Sequence, residues 1–522
     1  MHRALTALII LLAGSAAAAG QKEDRITLQG DYRRDAVDYE DAPREFFRER
    51  ATLRFSRESA LTAALVHGPG GGESFTWNLT LGDLSPDMSF MAGHFYAHFG
   101  KGLLAGKKSA WQPDVFSRRG AISDEGVFTP CKSGNPNFAF HGAAASFRLA
   151  GEDLSLSLHP FYSLKERYIT QEDYENRTTS SLSAIESRDG RERQYLEPVD
   201  VHTRGAMLAL SCIDLLSARA YWIGGNTTAP CGDEVSTGGL RGFTGRGFTL
   251  EYRDDSLALF CEWAMASSRY QGDDGGSSSS EGGGYLTGAS LTSPLVRASF
   301  IYKNADDNYY SPYTATMGEY LGTGTFIDIS LNPLKGLSLG ASCSSERRAN
   351  TGSADDEQTV AERERLFISW MRGWLEEARS ELGISRRSDE GSGERRRWRQ
   401  KIALRPAPFL SLGASATIQT TEGMGATRAV TVALGLHRGR AASVALSYTR
   451  ARVAESNPVY ESLLPLKNAS MTGTFIRESG DVAAGRATLA WQGLYVSGRV
   501  FHQRYAGGGK NTLLELYASG SW

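Results

Sequence analysis

A phosphate cradle is the first chemistry that the residue types suggest. In Gly102-Leu-Leu-Ala-Gly106-Lys107-Lys108-Ser109, glycine, lysine and a hydroxyl stand close together, as they do in a loop that wraps phosphate with backbone N–H groups. The spacing excludes it. Such a loop needs a glycine five positions before Gly106 and a Ser or Thr directly after Lys107, where this chain has Lys101 and Lys108. Metal chemistry is no better supported, because His94 and His98 on an extended segment share a face but stand about 13 Å apart. The five cysteines, Cys131, Cys212, Cys231, Cys261 and Cys343, show no C-x-x-C spacing. Cys131 and Cys231 both fall in predicted outer loops, where an oxidising compartment would permit a bridge. No Ser/His/Asp grouping stands out among the histidines, so the expectation is a protein that is not an enzyme, with no catalytic residue, bound metal or cofactor.

One basic run does have a chemically useful period. In Arg395-Arg396-Arg397-Trp398-Arg399-Gln400-Lys401, a strand would point Arg395, Arg397, Arg399 and Lys401 the same way. If that strand crosses a membrane, a charge at mid-bilayer on the lipid face costs roughly 2 to 4 kcal/mol, so the ladder belongs in a lumen or at a rim. Facing inward it would attract anionic solutes or pair with Glu362, Glu364, Glu376 or Glu377 on neighbouring strands. Arg396 and Trp398, on the opposite face, suit the headgroup level, where aromatic residues form a girdle and arginine can meet lipopolysaccharide phosphate.

The elements that would position these residues are strands. Residues 1–20 read as a secretory signal peptide: a basic start, the apolar run Ala4 to Ala13, and small residues before Gly20. From 21 to 522 no run approaches the roughly 18 apolar residues of a membrane helix. Segments of about ten residues with period-two alternation recur instead, as in Leu154-Ser-Leu-Ser-Leu158 and in Val444, Leu446 and Tyr448 alternating with serine and alanine. The segment Ala361 to Arg387 fits two strands broken near Gly373. Short turns, such as those at Gly151-Glu152, Asp254-Asp255 and Ser293-Pro294, alternate with longer connectors, such as 165–194, 226–237, 421–427 and 454–481. That alternation gives an all-β fold: a large transmembrane antiparallel up-and-down β-barrel of about 24 strands (22 to 26), with both termini at the short-turn, periplasmic end. The final strand, Thr512 to Trp522, ends on an aromatic residue, as expected of a substrate for the barrel assembly machinery. The formal charge of -2 points to no nucleic-acid partner.

A 24-stranded barrel has a wide lumen, and smaller barrels of 16 to 18 strands already carry an aqueous channel. The loop 99–137 is the candidate occluder, since Trp111, Phe116 and Phe128 with Pro113, Pro130 and Pro136 give it the composition to pack inside.

Phe99-Gly-Lys-Gly-Leu-Leu104, followed by Phe128-Thr-Pro130, Ser133, Asn137 and Phe140-His-Gly-Ala-Ala144, resembles a group of bacterial outer-membrane barrels joined to, or found beside, helix-hairpin-helix domains. The resemblance spans Gly93 to Leu149. It implies a barrel in the cell outer membrane. Contact with DNA in that group is suggested by the helix-hairpin-helix part, which this chain lacks, so direct binding of nucleic acid is not expected, and no site residue carries over. The expected function is an outer-membrane channel or export/uptake portal. The alternative is a non-conducting binding or scaffold barrel acting through its outer loops on a surface or periplasmic protein. Outer-membrane lipid and lipopolysaccharide are the expected surroundings.

Overall fold

The computed structural model describes residues 25–37, 44–54, 59–67, 73–85, 87–101, 103–105, 127–131, 139–170, 195–213, 215–228, 239–271, 277–306, 309, 311, 322–348, 359–387, 393–439, 441–454, 457, 459–461, 474–476, 478–491, 494–507 and 510–521. The signal-peptide segment lies outside them, as do Cys231, Trp111 and Phe116.

Alternating sequences form strands here because a pleated chain sends successive side chains to opposite faces, which suits a wall between lipid and lumen. Leu154, Leu156 and Leu158 are 52%, 38% and 43% exposed, whereas Met207 and Ala209 on the next strand's inner face are 1% and 8% exposed. Exposed aliphatic side chains and tryptophans recur on this outer face along the wall, among them Trp263, Leu291, Ile329, Leu366, Trp398, Val432 and Leu446. An apolar surface of this extent stays out of water only by facing hydrocarbon.

Twenty-five strands form one hydrogen-bonded antiparallel sheet. One of them, Phe128–Pro130, is an inner addition to the strand Met88–Ala97; the others make up the wall. Closure comes from Arg25–Val37, which pairs with Arg44–Arg54 on one side and with the last strand, Lys510–Ser521, on the other. Among the described residues the wall strands thus close on one another, so the backbone of the wall satisfies its own hydrogen bonds in a medium that offers none. The protein is therefore a closed outer-membrane β-barrel. Links at one end are short, with two residues between Arg372 and Leu375, two between Ala407 and Leu410, and three between Ala150 and Leu154. Thr359–Arg372 and Leu375–Arg387 are two strands around Gly373, whose φ of 60° serves the turn. One connector at the other end is shorter than its sequence suggested. Leu410–Thr421 and Met424–Arg438 are joined by Glu422 and Gly423 alone, with Gly423 at φ 73°, because a glycine that accepts positive φ lets a hairpin close in two residues.

The buried core lies inside this cylinder. Phe95, Phe99, Leu103, Leu104, Phe140, Phe161, Tyr221, Phe243, Phe260 and Tyr309 belong to one cluster of buried side chains, built from the lumenal faces of neighbouring strands and from connecting residues packed against them. Glycines on the partner strand make room for the rings. Phe161 stands opposite Gly205, Tyr221 opposite Gly247 and Phe260 opposite Gly288, and a methyl group at any of these three glycines would lie 2.3 to 2.5 Å from ring carbon.

Candidate functional site in the barrel lumen

The wall opens to admit an inner turn at Gly93. Up to that residue Met88–Ala97 pairs with Glu73–Ser85; beyond it the partner is Phe128–Pro130. Gly93 has φ 93°, and an added Cβ would sit 2.3 Å from the Trp77 carbonyl oxygen, so only glycine fits this departure. The chain then enters the lumen as a tight turn closed by the bridge Phe99↔Ala105. Phe99, Leu103 and Leu104 are fully buried there. Each contributes roughly 1.5 to 3 kcal/mol of apolar burial by area arguments.

Polar contacts fix the turn in place. Glu262, buried on the inner face of Leu257–Gln271, accepts the backbone N–H of Lys101 at 2.7 Å, the N–H of Leu103 at 3.2 Å and the Tyr221 hydroxyl. Gly100, at φ 70°, presses against the same carboxylate, where a Cβ would stand 2.4 Å from its oxygen. The Lys101 ammonium extends to Glu251 at 2.7 Å, two residues before the short-turn end of Gly239–Arg253, and lies 5.7 Å from the Phe260 ring centroid. Both charged side chains are nearly inaccessible, at 3% and 8%. From the other side, the Tyr309 hydroxyl donates to the Leu103 carbonyl at 2.6 Å and the Ser311 hydroxyl to the Leu104 carbonyl at 2.7 Å. Burial, with the Glu262 carboxylate nearby, pushes the Tyr309 phenol well above its ordinary value and keeps it a neutral donor.

A second buried contact is made by Asn457, which follows the strand Ala442–Arg452 and packs on the neighbouring hairpin. The Asn457 side chain accepts from Gln419 Nε2 at 2.6 Å and Thr421 Oγ1 at 3.0 Å and donates to the Gly425 carbonyl at 3.1 Å, while its own carbonyl accepts from Thr427 at 2.7 Å.

The intervening wall, Thr359–Arg372 through Leu410–Thr421, is of another kind. Arg395, Arg397, Arg399 and Lys401 lie on the face opposite the outward Trp398 and Ile402, and so point to the lumen. The register puts Arg397 across from Gly383 and Gln419, and Lys401 across from Arg379 and Ser415. Arg363 and Arg365 continue the basic surface on Thr359–Arg372. Of the expected carboxylate partners, Glu377 meets Lys401 at 2.6 Å and Glu376 meets Arg405 at 3.2 Å. Glu362 and Glu364 do not join the ladder. They lie 3.6 and 3.4 Å from Arg386, because one step along a strand sends a side chain to the other face.

Of the proposed occluding residues, Phe128 is the one described. It packs edge-on to Phe95, Phe99 and Phe161. Cys131 is buried, with its sulfur 3.4 Å from the Tyr96 hydroxyl. His94 stacks on His141, ring centroids 4.3 Å apart, and His98 bonds the Thr129 hydroxyl at 2.8 Å. Among the described residues no group of three or more His, Cys, Asp or Glu side chains could hold a metal ion. Sequence reasoning missed Lys101 as a latch and passed over Glu262 and Asn457. A carboxylate between Cys261 and Trp263, in the otherwise apolar stretch 257–266, was the available signal.

No family model matches the chain, and no curated protein matches it. Among solved structures it is similar to a mutant of the ferric enterobactin receptor PfeA from Pseudomonas aeruginosa, at 10% identity and a TM-score of 0.48, covering 96% of this chain and 80% of that one. It is also similar to the siderophore receptor PirA from the same organism (7% identity, TM-score 0.48, 96% and 81% covered) and to the translocation pore of the P pilus usher PapC (8%, 0.45, 96% and 99%).

Proposed function

We propose that this barrel is a gated outer-membrane conduit for anionic solutes and performs no chemistry on what it carries. The observation that carries the reading is the inner turn 99–105, held inside the lumen by hydrogen bonds and one ion pair to the wall. Such contacts are directional and reversible, which suits an element with an attached and a released position. The arginine-rich wall supplies the selectivity, because like charges lining a low-dielectric passage concentrate counter-ions. Filling of the lumen by an apolar cluster favours the other reading, a sealed barrel that acts as a scaffold through its outer loops.

Planar-bilayer recording separates the two. The purified protein is expected to conduct weakly, and the variant Lys101→Ala with Glu262→Gln to conduct more, with a reversal potential in a salt gradient that favours anions. A variant that retains heat-modifiable mobility on gels yet never conducts would decide for the scaffold.

A further inference from the structure

The outer face carries a charge pattern that the lumen does not use. Along Met424–Arg438 the outward Val430 and Val432 are followed, toward the long-loop end, by Arg428; along Ala442–Arg452 the outward Leu446 and Tyr448 are followed by Arg450 and Arg452. A charge within hydrocarbon is strongly disfavoured, so this change from apolar to basic marks the headgroup level. The long-loop end of an outer-membrane barrel faces outside, and the headgroups there belong to the outer leaflet.

Arginines at that level differ in what surrounds them. Arg386 and Arg396 are neutralised locally, since Glu394 bonds both and Glu362 and Glu364 lie within 3.6 Å of Arg386. Arg428 faces Arg452 directly across the strand pair, and Arg450 stands opposite Val430. Like charges placed opposite each other in a sheet are destabilising unless an anion joins them. Among the described residues the carboxylate at hand is Asp481, which lies 3.9 Å from Arg450 and already accepts the Tyr448 hydroxyl at 2.7 Å. All three arginines are exposed, Arg450 at 73%.

We propose that Arg428, Arg450 and Arg452 form a site for a phosphate of lipopolysaccharide in the outer leaflet, with Val430 and Tyr448 beneath it against the first acyl carbons. Guanidinium groups match phosphate geometry through paired N–H donors. A phosphate among three arginines also removes the repulsion that the bare register imposes.

The test is a titration of the purified full-length barrel in detergent with bisphosphorylated lipid A, dephosphorylated lipid A and phosphatidylglycerol. Wild type is expected to prefer the bisphosphorylated form by at least about tenfold, the scale of one charge-assisted hydrogen bond, and the variant Arg428→Gln/Arg450→Gln/Arg452→Gln to lose that preference. Arg396→Gln should leave it unchanged. Equal binding of phosphatidylglycerol or dephosphorylated lipid A by wild type would overturn the proposal, as would a triple variant that binds like wild type. Should the triple variant lose heat-modifiability, Arg452→Gln alone decides, with weakened affinity expected and unaltered affinity refuting the site.

Discussion

Two lysine–glutamate pairs of nearly the same length sit in two regions of one lumen. Lys101 and Glu251 meet at 2.7 Å with side chains 3% and 8% exposed, while Lys401 and Glu377 meet at 2.6 Å with side chains 46% and 27% exposed. Separation therefore does not distinguish them; surroundings do. Around Lys101 the wall offers glycines, aromatic rings, buried Glu262 and, 3.7 Å from Glu251, Arg219, with Tyr309 bonded to the turn, so both charges are held away from water. Around Lys401 the neighbours are Arg379 and Ser415 on adjoining strands, and water competes for every donor. The lesson is that one barrel can build a latch and a solvated wall from the same two residue types by varying only what stands on the inner face of the flanking strands.

The comparison can be broken most severely at the buried pair. Lys101→Ala leaves buried Glu251 with Arg219 at 3.7 Å as its remaining cation and is expected to weaken attachment of the turn by about 1 to 3 kcal/mol. Hydrogen exchange at the Leu103 amide, which bonds Glu262, should rise accordingly; unchanged protection there would mean that apolar packing alone holds the turn. An effect no larger is expected at Asn457, which bonds Gln419, Thr421, Thr427 and Gly425 of the neighbouring hairpin. Asn457→Ala leaves its buried partners unsatisfied and should destabilise that contact by about 1 to 3 kcal/mol, read as faster proteolysis of the segment 453–479 in the intact barrel. The least change belongs to the exposed pair. Lys401→Gln should alter the heat-modification midpoint by no more than corresponds to about 1 kcal/mol, after allowance for solvent screening. A large shift there would show that the basic wall is structural and would remove the contrast between the two regions.

Period-two alternation in segments such as 154–158 and 444–448, together with short turns at Gly151-Glu152 and Asp254-Asp255, was enough to read an up-and-down barrel and its strand parity, because both depend on local pattern and on the lipid outside. The lumenal direction of Arg395, Arg397, Arg399 and Lys401 followed from the same alternation once Trp398 was placed outward. The hairpin at Glu422-Gly423 looked like a longer loop, since polar residues on both sides of the turn carry no mark of where pairing stops.

Pairing across the lumen was not legible. Lys101 meets Glu251 and Glu262 over separations of 150 and 161 residues, and Tyr309 meets Leu103 over 206. Alternation says only that a side chain faces inward, not which inward residue it will find. That is set by the register of every intervening strand and by the curvature of the closed wall. The sequence by itself determined a membrane cylinder and the face on which each strand residue lies; closure of the sheet decided which of those residues became neighbours, because only a closed wall brings distant strands to a common interior.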